Sequence, residues 1–415
     1  MRRALVIAYF FPPLGGAGVQ RTLKFVRYLS EFGWCGTVVS TRSRIYGTHD
    51  PSLVREIPEG TRVVRAPAVP LARILAIVLY KLRLPRLQAW VSWPDGGLGW
   101  APLAFLAAWR EIRRDRPDAI FSSASPYGGH LAALLLSRVT GIPWVADFRD
   151  DWSTSMYLAG QPRPLAELTR RAERLFTSRA RRVVVVADYF DLEGAAAGDP
   201  RRAVIPNGVD PEDVPAGGQP LSGDRFRLCY VGTLYESVDA RPVMDAVTRL
   251  ISAGALDPQR FELRVVGNVL IPGFAPPRGL PLVSTGYVSH ERAVAEMRAS
   301  TALLLYRPPG SLAPSGKIFE YLAAERPVLC VTRPDNLAAR LVREWDAGAT
   351  ADPGSPDEIE AALRGLYERW SEGTLEPPRG ARERVLERYS RRELTGRLAG
   401  VLEAASRERY GQPRG

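Results

Sequence analysis

Apolar residues in the first half of the chain cluster in short stretches, unbroken at Ala4–Phe10 and dominant at Ala119–Ala124, Trp144–Phe148 and Val183–Ala187. A strand with one wet face alternates apolar with polar, whereas one covered on both faces reads as a continuous run. Between the runs, apolar residues recur at helical spacing. Val19, Leu23, Val26 and Leu29 precede Gly33, a second helix covers Gly128–Thr140, and a basic one lies near 164–181. Pro211–Gly223 is rich in proline, glycine and acids, as a linker would be. A second series of strands follows: Phe226–Val231, Glu262–Val266, Leu282–Gly286, Ala302–Tyr306 and Val328–Thr332. Its helices fall near 240–253, 289–299, 316–325 and 336–345. Ser355, Pro356 and Glu358 open another helix to about Trp370, and a last amphipathic helix covers 381–405.

Strands alternating with helices imply parallel sheets covered on both sides, an α/β class. The expected architecture is two facing Rossmann-like domains. Residues 1–200 form the N-terminal one and 201–380 the C-terminal one; a helix and tail, 381–415, pack back on the N-terminal domain. One stretch breaks the alternation. In Leu71–Trp93 apolar residues are interrupted by Arg73, Lys81, Arg83 and Arg86, with Trp90 and Trp93 at the end. Such a segment suits a membrane surface, or a helical hairpin over the cleft with a solvated basic side.

Charge sharpens that choice. Residues 1–190 carry 27 Lys/Arg against 14 Asp/Glu, and the remainder 29 against 31, so the whole formal excess of +11 lies in the first half. That half suits an anionic membrane face or a phosphorylated substrate; no interleaved basic and aromatic pattern of a nucleic-acid reader occurs. Three separated cysteines, Cys35, Cys229 and Cys330, sit in or beside predicted strands and suit buried thiols in a reducing compartment. With no signal peptide and no apolar run of about 18 residues, the expected location is the cytoplasm, or the inner face of the plasma membrane.

Candidate chemistry centres on Ser315–Leu322. Ser315 and Gly316 suit a helix start, whose free N–H groups face an approaching anion; Lys317 adds a positive charge and Glu320 an acceptor for sugar hydroxyls. The chain holds only three lysines among 56 basic residues, and Lys317 is one of them. A capped helix with a solvated first turn is the plain alternative. The loop Phe11–Gly18, with Gly15, Gly16 and Gly18, is a phosphate-cradling arrangement but not the dinucleotide fingerprint, and the next strand ends at Arg42 with no acid for a ribose. A nicotinamide oxidoreductase is therefore disfavoured.

Four stretches in this order resemble the bacterial family 4 glycosyltransferases: Phe11–Gly18, Ile205–Asp210, Tyr230–Leu234, and Ser315–Leu322 with Pro327 and Val328. The resemblance implies the two-domain GT-B fold and transfer with retention from a nucleoside-diphosphate sugar, a co-substrate, with no cofactor. By position, Glu320 would bind the donor ribose, and Ser315, Gly316 and Lys317 the sugar and diphosphate. Tyr287 and Val288 would border the base, Gly232 and Thr233 belong to the donor site, and Gly15 and Gly16 would meet the distal phosphate. The sequence departs from the family at Leu312, where a first glutamate is expected, and at Thr233, Val238 and Asp239, where two cations are expected. Lys317 or Arg241 would replace them. Near the end of the third run, Asp147 or Arg149 would touch the donor sugar or acceptor hydroxyl where the family often has histidine; Arg149 in an ion pair with Asp150 or Asp151 is the alternative. His130 would assist with the acceptor, or be structural, while His49 and His290 look like loop and helix-cap residues.

The sequence contains no Asp-x-Asp triplet and no His/Cys cluster with metal spacing, so metal-independent transfer is expected. The leaving phosphate would itself help deprotonate the acceptor. Products expected of such an enzyme are cell-surface polysaccharide, glycolipid or natural-product glycosides, with a small-molecule or lipid-linked glycan acceptor. A nucleotide-sugar epimerase of the same fold and a non-catalytic sugar-nucleotide-binding protein remain as alternatives.

Overall fold

The computed structural model describes residues 1–42, 49–68, 71–93, 95, 98–150, 152–154, 162–215, 221, 223–236, 238–311 and 315–407. Two compact units share the chain: Met1–Pro206 with the segment from Arg391 onward, and Asn207–Ser390.

The first unit opens with β1 (Arg2–Ala8), α1 (Ala17–Tyr28), β2 (Trp34–Thr41) and β3 (Arg62–Ala66). Three helices follow, α2 (Leu71–Lys81), α3 (Pro85–Ser92) and α4 (Ala101–Arg114). Then come β4 (Ala119–Ala124), α5 (Gly128–Thr140), β5 (Trp144–Phe148), α6 (Arg163–Arg179), β6 (Arg182–Val185) and β7 (Arg202–Val204). The seven strands are parallel, in the order β3-β2-β1-β4-β5-β6-β7, so the winding reverses between β1 and β4. The run in β1 is apolar throughout because both faces are covered. Leu5 and Ile7 enter one core layer with Trp100 and Trp144, while Ala4, Val6 and Ala8 enter another with Val19 and Leu23.

The second unit contains β8 (Phe226–Val231), β9 (Leu234–Tyr235), α7 (Arg241–Ser252), β10 (Phe261–Val266), β11 (Val269–Leu270), β12 (Leu282–Gly286), α8 (His290–Arg298) and β13 (Ala302–Tyr306). It continues through α9 (Lys317–Ala323), β14 (Val328–Val331), α10 (Leu337–Glu344), β15 (Gly348–Ala351), α11 (Pro356–Ser371) and α12 (Ala381–Tyr389). Six parallel strands lie in the order β12-β10-β8-β13-β14-β15, reversing between β8 and β13. Both sheets are thus doubly wound, and in such sheets ligands bind beyond the carboxyl ends of the strands where the winding reverses.

The last helix differs from its expected form. The pattern over 381–405 predicts one helix, but it breaks at Ser390, which is extended (φ −64°, ψ 145°). Val209 N–H donates to the carbonyl of Tyr389 at 3.1 Å, holding α12 in the second unit. Beyond the break, α13 (Arg391–Arg407) places Leu394, Leu398 and Leu402 in the first unit's core beside Val19 and Leu23.

Candidate functional site

In the first unit the loop after β1 ends at Gly16, whose φ of 93° suits glycine and whose Cα faces open space. Gly16 is exposed and caps α1 without a side-chain bond, so the helix's first amides meet no capping side chain. The carboxyl ends of β4 and β5 are tied to that turn by Arg149. Its Nε donates to the Ala124 carbonyl at 2.9 Å, Nη1 to the Gly18 carbonyl at 2.6 Å, and Nη2 to the Ser125 carbonyl. A Cβ at Gly18 would sit tightly here, 3.2 Å from Arg149 Nη1 and 3.1 Å from the Phe10 ring, so Arg149 or Phe10 would have to shift. The guanidinium is therefore a strap between the loop after β4 and the first turn of α1; Asp151 lies outside the described residues. Burial lowers its pKa, while Asp150 and Asp147 raise it.

Asp147 has no exposed surface. Arg21, on α1, donates to its Oδ1 at 2.7 Å and Oδ2 at 3.0 Å, and Ser123 Oγ donates to Oδ2 at 2.7 Å. Arg21 also donates to the carbonyls of Ile205 and Pro206, each at 2.9 Å, gripping the chain where the first unit ends. His130 is equally enclosed. Trp144 Nε1 donates to Ser122 Oγ at 2.7 Å, and Ser122 Oγ shares a hydrogen bond with His130 Nδ1 at 2.8 Å. His130 Nε2 has no hydrogen-bond partner among the described residues. Desolvation lowers the His130 pKa to about 3, and the ring stays neutral. In this structure Asp147 and His130 shape the wall beneath the loops; neither side chain reaches the surface.

In the second unit three glycines end three neighbouring strands. Gly232 follows β8, Gly267 follows β10 and Gly286 closes β12. Gly232 N–H donates to the Val266 carbonyl at 3.0 Å, and Gly267 bridges to Gly286. At Gly267 (φ 142°) a Cβ would lie 2.1 Å from the Gly232 carbonyl oxygen, so backbone meets backbone with no room for a side chain. Thr233 is half-buried, as is Val288, which packs on the core, and Tyr287 is exposed just past β12.

The start of α9 adjoins the junction motif: a Cβ on Gly316 would meet Asn207 Cβ at 3.4 Å. Gly316 caps the helix without a side-chain bond, and Ser315, half-buried, contributes its carbonyl to Ile318 N–H at 3.3 Å. Lys317 Nζ lies 2.6 Å from Glu320 Oε2 within the same turn. Arg241 is mostly exposed and pairs with Asp239. Leu312 lies outside the described residues.

Two residues join this set that sequence reasoning missed. His290, read as a helix cap, opens α8 with Nε2 3.5 Å from Asp213 Oδ2. Asp213 raises its pKa most; Glu320 raises it further, and Lys317 opposes them, so the ring stands within electrostatic reach of the α9 pair. Arg307 leaves the carboxyl end of β13 and donates to Ser311 Oγ at 2.7 Å. Neither carried a local signal: one is a histidine after a serine, the other one arginine among many. Among the described residues no three His, Cys, Asp or Glu are grouped to hold a metal ion.

Residues 20–213 match the family model described as Glycosyltransferase Family 4. The sequence matches no curated protein. Among solved structures, the chain is similar to sucrose-phosphate synthase from Thermosynechococcus elongatus, with TM-score 0.67 and 14% identity over 98% of this chain and 100% of that one. It is similar to HepE of Anabaena, solved in complex with UDP-glucose, with TM-score 0.67 and 14% identity over 97% and 100%. A glycosyltransferase from Rickettsia africae aligns with TM-score 0.62 and 13% identity over 99% of each chain.

Proposed function

We propose that this chain, which shares its fold with the solved structures above and matches the family 4 glycosyltransferase model over residues 20–213, is a glycosyltransferase that transfers a sugar from a nucleoside diphosphate to an acceptor hydroxyl, with retention and without a metal. The observation that carries the donor assignment is the convergence at one sheet end. Gly232, Gly267 and Gly286 leave backbone bare there, and His290, four residues past Gly286, feels the charges of Lys317 and Glu320.

Glu320 takes the ribose hydroxyls, Tyr287 and Val288 border the base, and Gly232 and Thr233 lie along the sugar nucleotide. Lys317 leaves Glu320 for the diphosphate as charge grows on the leaving oxygen, with the Ser315–Gly316 backbone and Arg241 sharing that charge. The leaving phosphate takes the acceptor proton, so no side chain need serve as base. Asp147, Arg149 and His130 act beneath the acceptor surface as positioning residues. Arg149 fixes the loops after β4 and β5, Arg21 fixes Asp147, and Ser122 fixes His130. The acceptor is a small molecule or a lipid-linked glycan on the cytoplasmic side.

A panel of nucleoside-diphosphate sugars tests this by thermal shift and by donor turnover, since a ligand that binds only the folded state raises Tm by mass action. The expected result is a shift with one base and sugar, followed by nucleotide release when acceptor is added. A changed donor sugar without acceptor would mean an epimerase. A shift with no turnover would mean a binding protein, and no shift with any donor removes the assignment.

A further inference from the structure

We propose that the α2–α3 hairpin docks this protein on an anionic bilayer, its apolar side chains entering the acyl boundary and its cations meeting lipid phosphates. Of the 22 large apolar side chains exposed among the described residues, nine fall between Ile74 and Trp90. Tyr80 is 69% exposed, Leu82 61%, Leu87 54% and Trp90 48%. Residues of this size ordinarily enter a core, and a contiguous exposed set marks an interaction site. No residue of α3 is buried, and the two helices contact chiefly each other. The far end of the hairpin is anchored: Trp93 Nε1 donates to Thr169 Oγ1 on α6 at 2.9 Å.

Charge selects the partner. Between Glu59 and Asp95 the sequence has six Arg or Lys and no acid. Arg62 is spent on Glu111 and Arg65 on the Pro12 carbonyl. Lys81, Arg83 and Arg86 are exposed at the turn and the start of α3, and none forms an ion pair with a described residue. A second copy of this chain on the same apolar surface would set these like charges against each other. An anionic lipid surface neutralises them.

Length fixes the mode of contact. At 1.5 Å per residue, helices of 11 and 8 residues reach only about 16 and 12 Å, well short of the ~30 Å hydrocarbon core. The hairpin therefore lies in the interface, where Tyr80 and Trp90 keep polar tips toward the headgroups.

The test is co-sedimentation of the full chain with vesicles, zwitterionic alone or with about a third anionic lipid, at low salt. Wild type should pellet with the anionic vesicles. Lys81→Gln/Arg83→Gln/Arg86→Gln should bind at least tenfold more weakly, up to about a hundredfold, given the usual contribution of a basic side chain near such a surface. Ile77→Ser/Leu82→Ser should also lose at least tenfold, and its loss should persist when salt is raised. Both variants alter exposed side chains, so their melting temperatures should match wild type. Failure of folded wild type to pellet overturns the proposal, as does pelleting unaffected by both variants. A dimer that the apolar variant dissociates, with no vesicle binding, would make the surface a contact between copies and also overturn it. Vesicle binding needs no turnover, so this inference and the transfer reading can fail separately.

Discussion

At the scale of single residues, Glu320 and Lys317 form a pair that substrate must divide, and the two should fail differently. Glu320→Gln weakens a hydrogen bond made equally in ground and transition states, so the donor KM should rise about tenfold with kcat little changed. Lys317→Ala removes a charge needed only as the diphosphate leaves, so kcat should fall about a hundredfold. Unchanged kcat/KM in both folded variants would remove the donor site from α9. His130 supports a prediction about acid stability. Its folded pKa, about 3, lies below the ordinary 6.5, so the neutral ring costs nothing above pH 6.5. As pH falls from 6.5 toward 3 the unfolded chain takes up a proton that the folded chain refuses, and stability drops by about 1.4 kcal/mol per pH unit. Denaturant midpoints at pH 7 and 4.5 should converge in His130→Gln relative to wild type; equal slopes in both would contradict the burial argument. These pairings are where the sequence was least legible. Arg21 and Asp147 are 126 positions apart, and a lone arginine on an apolar helix face says nothing of which carboxylate it meets. The carbonyl acceptors of Arg149 likewise belong to segments whose course no local pattern records.

At the scale of elements, the central strands and the edge strand β12 were readable, and three other edge strands were not. β1 announces itself as an apolar run and β4 and β5 as largely apolar stretches, whereas β3 (Arg62–Ala66), β7 (Arg202–Val204) and β15 (Gly348–Ala351) are short and bounded by polar or small residues. The helix α4 was missed although Ala104, Ala108 and Ile112 repeat every fourth position, because alanine adds little to an apolar stripe. The glycine-ended strands of the second unit carry a prediction that belongs to no single side chain. Gly267→Ala would drive a Cβ into the Gly232 carbonyl and force β8 and β10 apart at their carboxyl ends. The donor-induced rise in Tm should disappear while the protein still folds, at a cost of roughly 1–3 kcal/mol for the strained position. A full donor shift in Gly267→Ala would place the nucleotide elsewhere. The Ser315–Gly316 backbone, with Lys317 and Arg241, is also the proposed counter-charge for the diphosphate. Addition of EDTA should therefore leave the transfer rate within about a factor of two. Strict dependence on added Mg²⁺ or Mn²⁺ would show that the leaving group is neutralised in another way.

At the scale of the whole molecule, the alternation of runs and amphipathic helices was enough to read two doubly wound sheets. The path of the last helix was not. Tyr389, Ser390 and Arg391 contain neither glycine nor proline, and the one local mark, Ser390 three residues before Glu393, sits inside a continuous amphipathic pattern; the break exists because the two helices serve different cores. Arg391 onward closes the first unit, which would otherwise expose Val19 and Leu23 on one side. Leu394, Leu398 and Leu402 are completely buried there, and burial of a leucine is worth about 1.5–3 kcal/mol. Ending the chain after Ser390 removes all three at once. The sum is of the order of a whole domain's stability. Calorimetry of the truncated protein should show the first unit's transition lost or greatly lowered, with the transition of residues 207–390 retained. Limited proteolysis should then release fragments from 1–206 while the second unit survives. If both units melt as in the full chain, α13 contributes little to the first unit, and its three leucines are covered without being needed.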